Sequence, residues 1–304
     1  PVDLFGKGRT IINKTCIDNI QVHIFTESDV KNFFIPNNDE ISKLFRGADL
    51  LEKLKSKDTP LYITGKLADI VRDTLGHGEI VIPGAAFWSQ AKSLIEKSRS
   101  AKSLGIIDLS ASGYMVIAIG RDGNLKNDLL VTNPRCGAGT GINLSRILEK
   151  LDIQNEEVDK ILASYLGKAG QEKRSKVTIR ADRCGVFSSS ATISDKNQGI
   201  PLDVALAVTL KSEVLKACKK MPPRTDIVYL SGRVFDWQFI RDCAEDYLKS
   251  IGVEKVFYDQ SQTMLIKGVK FLVDKIGPDK FRASEEKKLR KKEVLYPYPS
   301  GTGD

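Results

Sequence analysis

Histidine is scarce in this chain. Only His23 and His77 occur among 304 residues. His23 lies in an apolar stretch that is typical of a strand, and His77 stands between two glycines, as in a surface turn. Catalytic triads and histidine-rich metal sites depend on imidazole groups placed beside other catalytic or ligating side chains. Two isolated histidines make either kind of site hard to build.

Long apolar runs are also lacking, and cysteines are few. No run approaches the roughly 20 residues that a membrane span needs, and no signal-peptide pattern opens the chain. The five cysteines are odd in number and widely spread: Cys16, Cys136, Cys184, Cys218 and Cys243. This pattern argues against a disulfide framework and for a reducing compartment. We therefore expect a cytoplasmic protein with no membrane partner.

The formal net charge of +8 raises the question of nucleic-acid binding. Much of the excess is attributed to the basic run Glu285–Glu293, which we interpret as a solvated helix end or tail. Zinc-finger spacing and RNP-type aromatic motifs are absent from the sequence. We therefore do not expect a nucleic-acid partner.

Strand-like and helix-like segments alternate along the chain, which predicts an α/β fold with a largely parallel sheet. The N-terminus reads as short antiparallel strands with a tight turn at residues 3–10. A second strand–turn–strand unit begins at Leu104, where an apolar run ends in Asp108 and a turn of small residues. The repeat predicts two α/β domains, residues 1–103 and 104–282, followed by a basic tail at residues 283–304.

A glycine-rich turn around Cys136 joins a predicted strand to a predicted helix. Backbone N–H groups and the positive end of the helix dipole meet at such a turn. A cysteine placed there has a lowered thiol pKa and is a better metal ligand or nucleophile. Glycine-rich turns are also common structural elements, and buried cysteines often act only as small apolar residues. Both interpretations remain open for this turn alone.

A second cysteine block follows 48 residues later. The two blocks read Cys136-Gly-Ala-Gly-Thr-Gly141 and Cys184-Gly-Val-Phe-Ser-Ser-Ser190. In this order they resemble the two cysteine motifs of the ATPase activators of 2-hydroxyacyl-CoA dehydratases and the related ATPase subunits of benzoyl-CoA reductases. The resemblance is specific because both motifs and both cysteines are present.

The resemblance implies an actin-like (ribonuclease H-like) fold of duplicated α/β domains with a nucleotide cleft between them. It implies that Cys136 and Cys184 ligate a [4Fe-4S] cluster shared by a homodimer, in which each subunit supplies two thiolates. It further implies ATP or ADP with Mg²⁺ as the nucleotide. The expected activity is ATP-dependent transfer of a low-potential electron to a dehydratase or reductase partner that acts on a CoA ester. Cys16, Cys218 and Cys243 match no family position and are expected to be core residues.

The nucleotide-binding positions carried over by resemblance are Asp3, Gly6, Thr10, Asp108, Ser110, Gly139, Thr140, Gly141 and Gly232. Several depart from the family pattern. The spacing of the first phosphate turn is broken, and Ser110 and Ala111 replace the glycines of the second turn. Ser112-Gly113 stands where the family has the Gln/Asp pair that positions water or magnesium. Arg233 replaces a glycine beside the adenosine.

Three functions remain open at this stage. The chain is an ATP-dependent electron donor, a non-hydrolysing member that acts as a binding or assembly component, or a small-molecule kinase of the same superfamily. The kinase hypothesis leaves the paired cysteines unexplained. Single positions also have purely structural interpretations: Asp108 as the cap of a turn, the serines after Phe187 as helix N-caps, and the glycines as sites of close helix packing.

Overall fold

The computed structural model describes residues 2–12, 15–25, 30–36, 61–65, 68, 72, 76–110, 113–132, 140–180 and 185–276. Its first sheet contains five strands: β1 Val2–Ile12, β2 Thr15–Phe25, β3 Val30–Pro36, β4 Tyr62–Gly65 and β5 Glu79–Val81. Their order across the sheet is β3-β2-β1-β4-β5. β1, β2 and β3 pair antiparallel, whereas β4 and β5 continue the sheet in parallel with β1.

The N-terminal hairpin differs from the sequence-based prediction. Residues 3–10 do not form a turn, because β1 runs unbroken from Val2 to Ile12 and reverses tightly where Ile12 pairs with Thr15. The register shifts between Lys7 and Arg9, so Gly8 is the extra residue of a β-bulge. Glycine suits a bulge as well as a turn. The glycines near the N-terminus thus mark a kink within a strand.

The second sheet is built from β6 Ser103–Ser110, β7 Gly113–Gly120, β8 Leu125–Thr132, β9 Ile227–Ser231 and β10 Lys255–Tyr258. Its order is β10-β9-β6-β7-β8. β6 and β7 pair antiparallel, as do β7 and β8, while β9 and β10 run parallel to β6. Read from β8 to β10, this is the same order and the same set of directions as in the first sheet. The predicted duplication is therefore confirmed at the level of topology.

Eight α-helices occur among the described residues: α1 Pro83–Lys97, α2 Thr140–Leu151, α3 Val158–Ile161, α4 Gln171–Lys176, α5 Gly185–Asn197, α6 Leu202–Cys218, α7 Gln238–Ser250 and α8 Met264–Phe271. Short 3₁₀ turns cover Asn155–Glu157, Ala163–Tyr165 and Arg233–Asp236, and a π-helical turn, Leu272–Ile276, follows α8. None of the described helices is long and apolar enough to span a bilayer.

The second sheet is covered on both faces, which explains why β6 is apolar almost throughout. Leu104 and Ile106 pack in the cluster that contains α1 and α8, whereas Ile107 and Leu109 pack in the cluster that contains α2, α6 and α7. Successive strand side chains point to opposite faces. One strand therefore supplies both cores.

Helix α1 follows β5 of the first sheet in sequence but packs against β6 and β7 of the second sheet and against α8. The crossing of α1 and α8 is very close. A Cβ on Gly268 would lie 1.8 Å from the carbonyl oxygen of Ala86 and 3.1 Å from Cβ of Gln90. Glycine is therefore required where the two helices meet. The domain limits at residues 103 and 282 stay a prediction.

Candidate functional site

Two equivalent positions lie at the carboxyl ends of the parallel strands, where open α/β sheets bind their ligands. In the first sheet Asp3 pairs with Thr64, and in the second sheet Asp108 pairs with Ser231. Each hydroxyl residue is followed by a glycine with positive φ, 104° at Gly65 and 93° at Gly232. The duplication therefore places an aspartate beside a hydroxyl residue and a glycine turn in both sheets.

The remaining predicted residues of the first phosphate turn lie along β1. Gly6 pairs with Ile20 and Thr10 with Ile17 on β2. Thr10 is seven residues beyond Asp3 on the same extended strand, and a strand rises about 3.3 Å per residue. The structure thus places Asp3 at the carboxyl end of β4 but does not bring Thr10 close to it.

Asp108 is buried within β6, two residues before the strand ends. It pairs with Met115 on one side and with Ser231 on the other. The hairpin turn is instead closed by the hydroxyl of Ser110, which donates to the carbonyl of Gly113 at 3.2 Å. A buried carboxylate requires polar compensation. Asp108 is therefore a stronger functional candidate than its surroundings in sequence indicated.

Gly232 is required by contact with the neighbouring strand. A Cβ at this position would lie 2.1 Å from the carbonyl oxygen of Leu109. Its N–H donates to Oε1 of Gln262 at 3.1 Å, within the protein interior. Packing alone therefore explains the glycine, and a contact with nucleotide stays a prediction.

Gln262 connects the ends of β9 and β10 through a small polar network. Its Nε2 donates to Oδ1 of Asp236 at 3.4 Å and lies 3.3 Å from the hydroxyl of Tyr258, which donates to the same Oδ1 at 2.5 Å. Arg233 donates to the other oxygen of Asp236 at 2.9 Å. Burial, and then the hydrogen bond to Asp236, raise the pKa of Tyr258 above its usual range. The network anchors Gly232 and directs the Arg233 guanidinium toward Asp236.

Two buried polar groups near these strand ends have no hydrogen-bond partner among the residues that the structure describes: Oγ1 of Thr64 and Nδ2 of Asn143. Thr64 is fully buried and Asn143 is 3% exposed. Asn143 lies in the first turns of α2, which packs against β1 and β6. Unsatisfied buried polar groups are rare in folded proteins. The sequence did not single out Asn143 or Thr64, since each reads as an ordinary helix or strand residue.

The two cysteines expected to bind the cluster, Cys136 and Cys184, lie outside the described residues, as does Gly139. The helices that follow them are described. α2 begins at Thr140 and α5 at Gly185, and the two helices pack together. Gly141 is within α2, where its carbonyl accepts a hydrogen bond from the hydroxyl of Ser145 at 3.0 Å. Each predicted ligand thus stands just before the N-terminus of one of two neighbouring helices.

The serines after Phe187 are not N-caps, because α5 begins before them. The hydroxyl of Ser188 donates to Glu213 on α6 at 3.1 Å, and Glu213 forms an ion pair with Lys216 at 2.8 Å. One turn later the hydroxyls of Thr192 and Thr209 lie 2.6 Å apart. Ser188 and Thr192 therefore attach α5 to α6 through a polar seam, whereas the hydroxyl of Ser189 accepts a hydrogen bond from Lys150 of α2 at 3.2 Å.

Cys218 and Cys243 are buried free cysteines, as the sequence predicts for core residues. Burial raises the pKa of the Cys243 thiol to about 12, and it also raises the pKa of Cys218. The Cys16 backbone lies in β2. Among the described residues no group of three His, Cys, Asp or Glu side chains could hold a metal ion.

We expect Cys218 and Cys243 to resist alkylation in the native protein at neutral pH, because a buried thiol with a raised pKa is scarcely ionised. Iodoacetamide labelling followed by peptide mass spectrometry measures this directly. Labelling in denaturant should modify both cysteines fully. Rapid native labelling of either one would contradict the buried core positions.

Comparisons with known proteins show a likeness in structure. No protein-family model matches the chain, and no curated protein matches it. The Acidaminococcus fermentans (R)-2-hydroxyglutaryl-CoA dehydratase component A superposes with a TM-score of 0.58 at 16% identity, over 89% of this chain and 96% of that chain. The activator of 2-hydroxyisocaproyl-CoA dehydratase from Clostridium difficile, solved with bound ADPNP, gives a TM-score of 0.58 at 16% identity, over 94% and 97%. The chain therefore has the duplicated actin-like α/β fold that these dehydratase activators share.

Proposed function

We propose that this chain is an ATP-dependent activator that donates a low-potential electron through a subunit-bridging [4Fe-4S] cluster to a CoA-ester dehydratase or reductase. The observation that carries the proposal is the position of α2 and α5. These neighbouring helices begin within the two cysteine blocks, shortly after Cys136 and Cys184, in a chain with the fold of known dehydratase activators. A homodimer would then supply the four thiolates from two symmetry-related pairs.

The cysteine positions suit thiolate ligands. A helix N-terminus carries a partial positive charge, which favours the ionised thiol over the neutral one. Cys184 directly precedes the first residue of α5, and Cys136 stands four residues before α2. The polar seam between α5 and α6 holds the N-terminal part of α5 in place. When bound, the cluster would supply one-electron transfer at low potential.

The strand ends suit a phosphate-bearing ligand with magnesium. Asp108 provides a carboxylate, and Mg²⁺ is usually held by one or two carboxylates together with phosphates and water. The unpartnered amide group of Asn143 is a donor, and the unpartnered hydroxyl of Thr64 is a donor or an acceptor. These groups support nucleotide binding near the carboxyl ends of β4 and β6. The contacts proposed for Asp3, Gly6, Thr10, Ser110, Thr140, Gly141 and Gly232 rest on the sequence resemblance.

A second candidate function is a nucleotide- or cluster-binding assembly component that does not hydrolyse ATP. Ser110 stands where the family has a phosphate-turn glycine, and its hydroxyl bonds to the hairpin turn. Arg233, which replaces the adenosine-turn glycine, is engaged with Asp236. Both replacements favour slow turnover, because a side chain at either position obstructs the close backbone approach that a glycine permits. ADP binding without ATP hydrolysis would identify this function.

We expect the anaerobically reconstituted protein to hold about four irons and four sulfides per dimer. The Cys136→Ala and Cys184→Ala variants should each lose the iron and the visible absorption. Iron and acid-labile sulfide analysis with the ultraviolet–visible spectrum measures this.

Cys243→Ala is the matched control, because it removes a cysteine that is buried in the core and should keep its iron. Reconstituted wild type without iron would overturn the electron-donor proposal. Equal iron in wild type and in the Cys136 variant would overturn the ligand assignment.

A further inference from the structure

The amino-terminal edge of the second sheet lies opposite the candidate ligand site. β6, β9 and β10 all begin at this edge, and α1, α6 and α7 all end there. Three contacts hold the edge together. Met221, just after α6, packs against Gly105 of β6, the backbone N–H of Lys255 donates to Asp226 at 3.0 Å, and Arg121 donates to the carbonyl of Ile95 at 3.1 Å.

Exposed cations concentrate at this edge, and we call them the basic edge. They follow the ends of α1 (Lys97, Arg99), of α6 (Lys219, Lys220, Arg224) and of α7 (Lys249), and they occupy the strand starts and a hairpin (Lys102, Lys255, Arg121). The exposed carboxylates among them belong to Glu96, Asp122 and Glu254. Lys219, Lys220 and Lys255 form no ion pair with any residue that the structure describes. The edge therefore carries a clear excess of positive charge.

The net charge of the chain is explained better by this edge than by the C-terminal run. The run Glu285–Glu293 holds five basic and three acidic residues, so it contributes a charge of +2 to the total of +8. The sequence-based prediction that much of the excess lies in that run is therefore wrong. Basic residues that are distant in sequence but close together in the fold do not appear as a basic run in the sequence.

The character of the basic edge favours an extended anionic surface over a single small anion. Helix C-termini present carbonyl oxygens and a partial negative charge, which repel an anion resting against the backbone. The positive charges instead sit on long side chains that reach outward. Such side chains suit a partner whose negative charges are spread over a comparable area.

A protein partner fits this edge better than a nucleic acid. Phe257, two residues along β10 from Lys255, is 44% exposed, but one face of its ring is stacked on Tyr229. A single ring with one face covered is a poor stacking platform for successive bases. Its carboxylates and helix-end carbonyls accept hydrogen bonds, and a protein supplies donors for them, whereas phosphates do not. We propose that the basic edge docks an acidic surface of a partner protein, on the side of the second sheet away from the ligand site.

Charge reversal at the basic edge tests the proposal with the full-length protein. The test variant carries Lys219→Glu, Lys220→Glu and Lys255→Glu. The matched control carries Lys160→Glu, Lys168→Glu and Lys196→Glu, which are exposed elsewhere and change the net charge equally. Fluorescence anisotropy with labelled poly-L-glutamate, at low and at high salt, reports binding without any cluster or nucleotide.

We expect edge reversal to weaken poly-L-glutamate binding on the order of tenfold at low salt, and the control to change it by about twofold or less. Equal losses of affinity in both variants would show that only the net charge of the protein matters, and would overturn the proposal. No loss in either variant would overturn it as well. A short DNA duplex that binds wild type more tightly than poly-L-glutamate, and loses affinity on edge reversal, would replace the protein partner with a nucleic acid.

Discussion

Replacing Arg174 by methionine is expected to lower the free energy of unfolding by about 2–4 kcal/mol. The Arg174 side chain is 4% exposed and forms ion pairs with Asp246 at 2.8 Å and Asp242 at 3.2 Å, both on α7. It also donates to the carbonyls of Tyr165 and Gly167 at 2.5 and 2.8 Å. Burial alone would lower the pKa of the guanidinium, but the hydrogen bond and charge of Asp246 outweigh it and raise the pKa. The substitution leaves two carboxylates and two carbonyls without their common donor.

The expected loss lies below that of a fully buried pair because both carboxylates keep some contact with water. Urea-induced unfolding, followed by circular dichroism, measures the change. Lys173→Met is the matched control: its ion pair with Asp203 spans 3.5 Å, and its side chain is 45% exposed. We expect about 1 kcal/mol or less for this neighbour. Equal effects of the two substitutions would show that Arg174 does not hold α4 against α7.

Gly232→Ala is expected to destabilise the protein by about 2–6 kcal/mol, through two separate effects. The backbone at Gly232 has a φ of 93° and a ψ of 149°, a region that is essentially restricted to glycine and costs an alanine about 1–3 kcal/mol. The new Cβ would also lie 2.1 Å from the carbonyl oxygen of Leu109, and overpacking of this kind costs about 1–3 kcal/mol. Relief of the overlap requires β9 and β6 to separate at the edge where Asp108 pairs with Ser231.

Gly199→Ala separates the two effects. Its φ is 82°, but nothing lies within 4 Å of a Cβ there, so only the backbone effect applies. The difference in unfolding midpoint between the two variants measures the contact with β6 together with the more restricted backbone of Gly232. Equal midpoints would mean that β6 and β9 separate without loss of stability, and the packing explanation for Gly232 would then be wrong.

The sequence predicted the architecture well because short stretches of sequence carry the signals for the strands and turns of each duplicated unit. The apolar run that ends at Asp108, the hairpin at residues 121–124 and the strand before Gly232 each carry their own turn and strand signals. The first hairpin was mispredicted because its local signal, a pair of glycines, fits two structures. A glycine that signals a turn also permits a bulge, and only pairing with β2 decides between the two.

Residues defined by distant contacts could not be predicted in the same way. Gln262 reads as a polar residue before a helix, yet it bonds to the backbone of Gly232 in the interior. Arg174 lies in a basic, polar stretch that looks solvated, and only the fold brings Asp242 and Asp246 to it. Asn143 and Thr64 likewise show no local signal, because an unpartnered group is defined by what surrounds it in space.

The contact of α1 with α8 constrains the order in which the protein can assemble during synthesis. Ala86 meets Gly268 directly, so one face of the second sheet is covered by α1 alone until α8 has left the ribosome. The central strand β6 likewise waits more than one hundred residues for its parallel neighbour β9. Such long-range closures are slow and leave apolar surface exposed in the meantime. A nascent chain that ends before Met264 would leave the α8 side of the Leu104 and Ile106 cluster exposed, and we expect such a chain to be prone to aggregation.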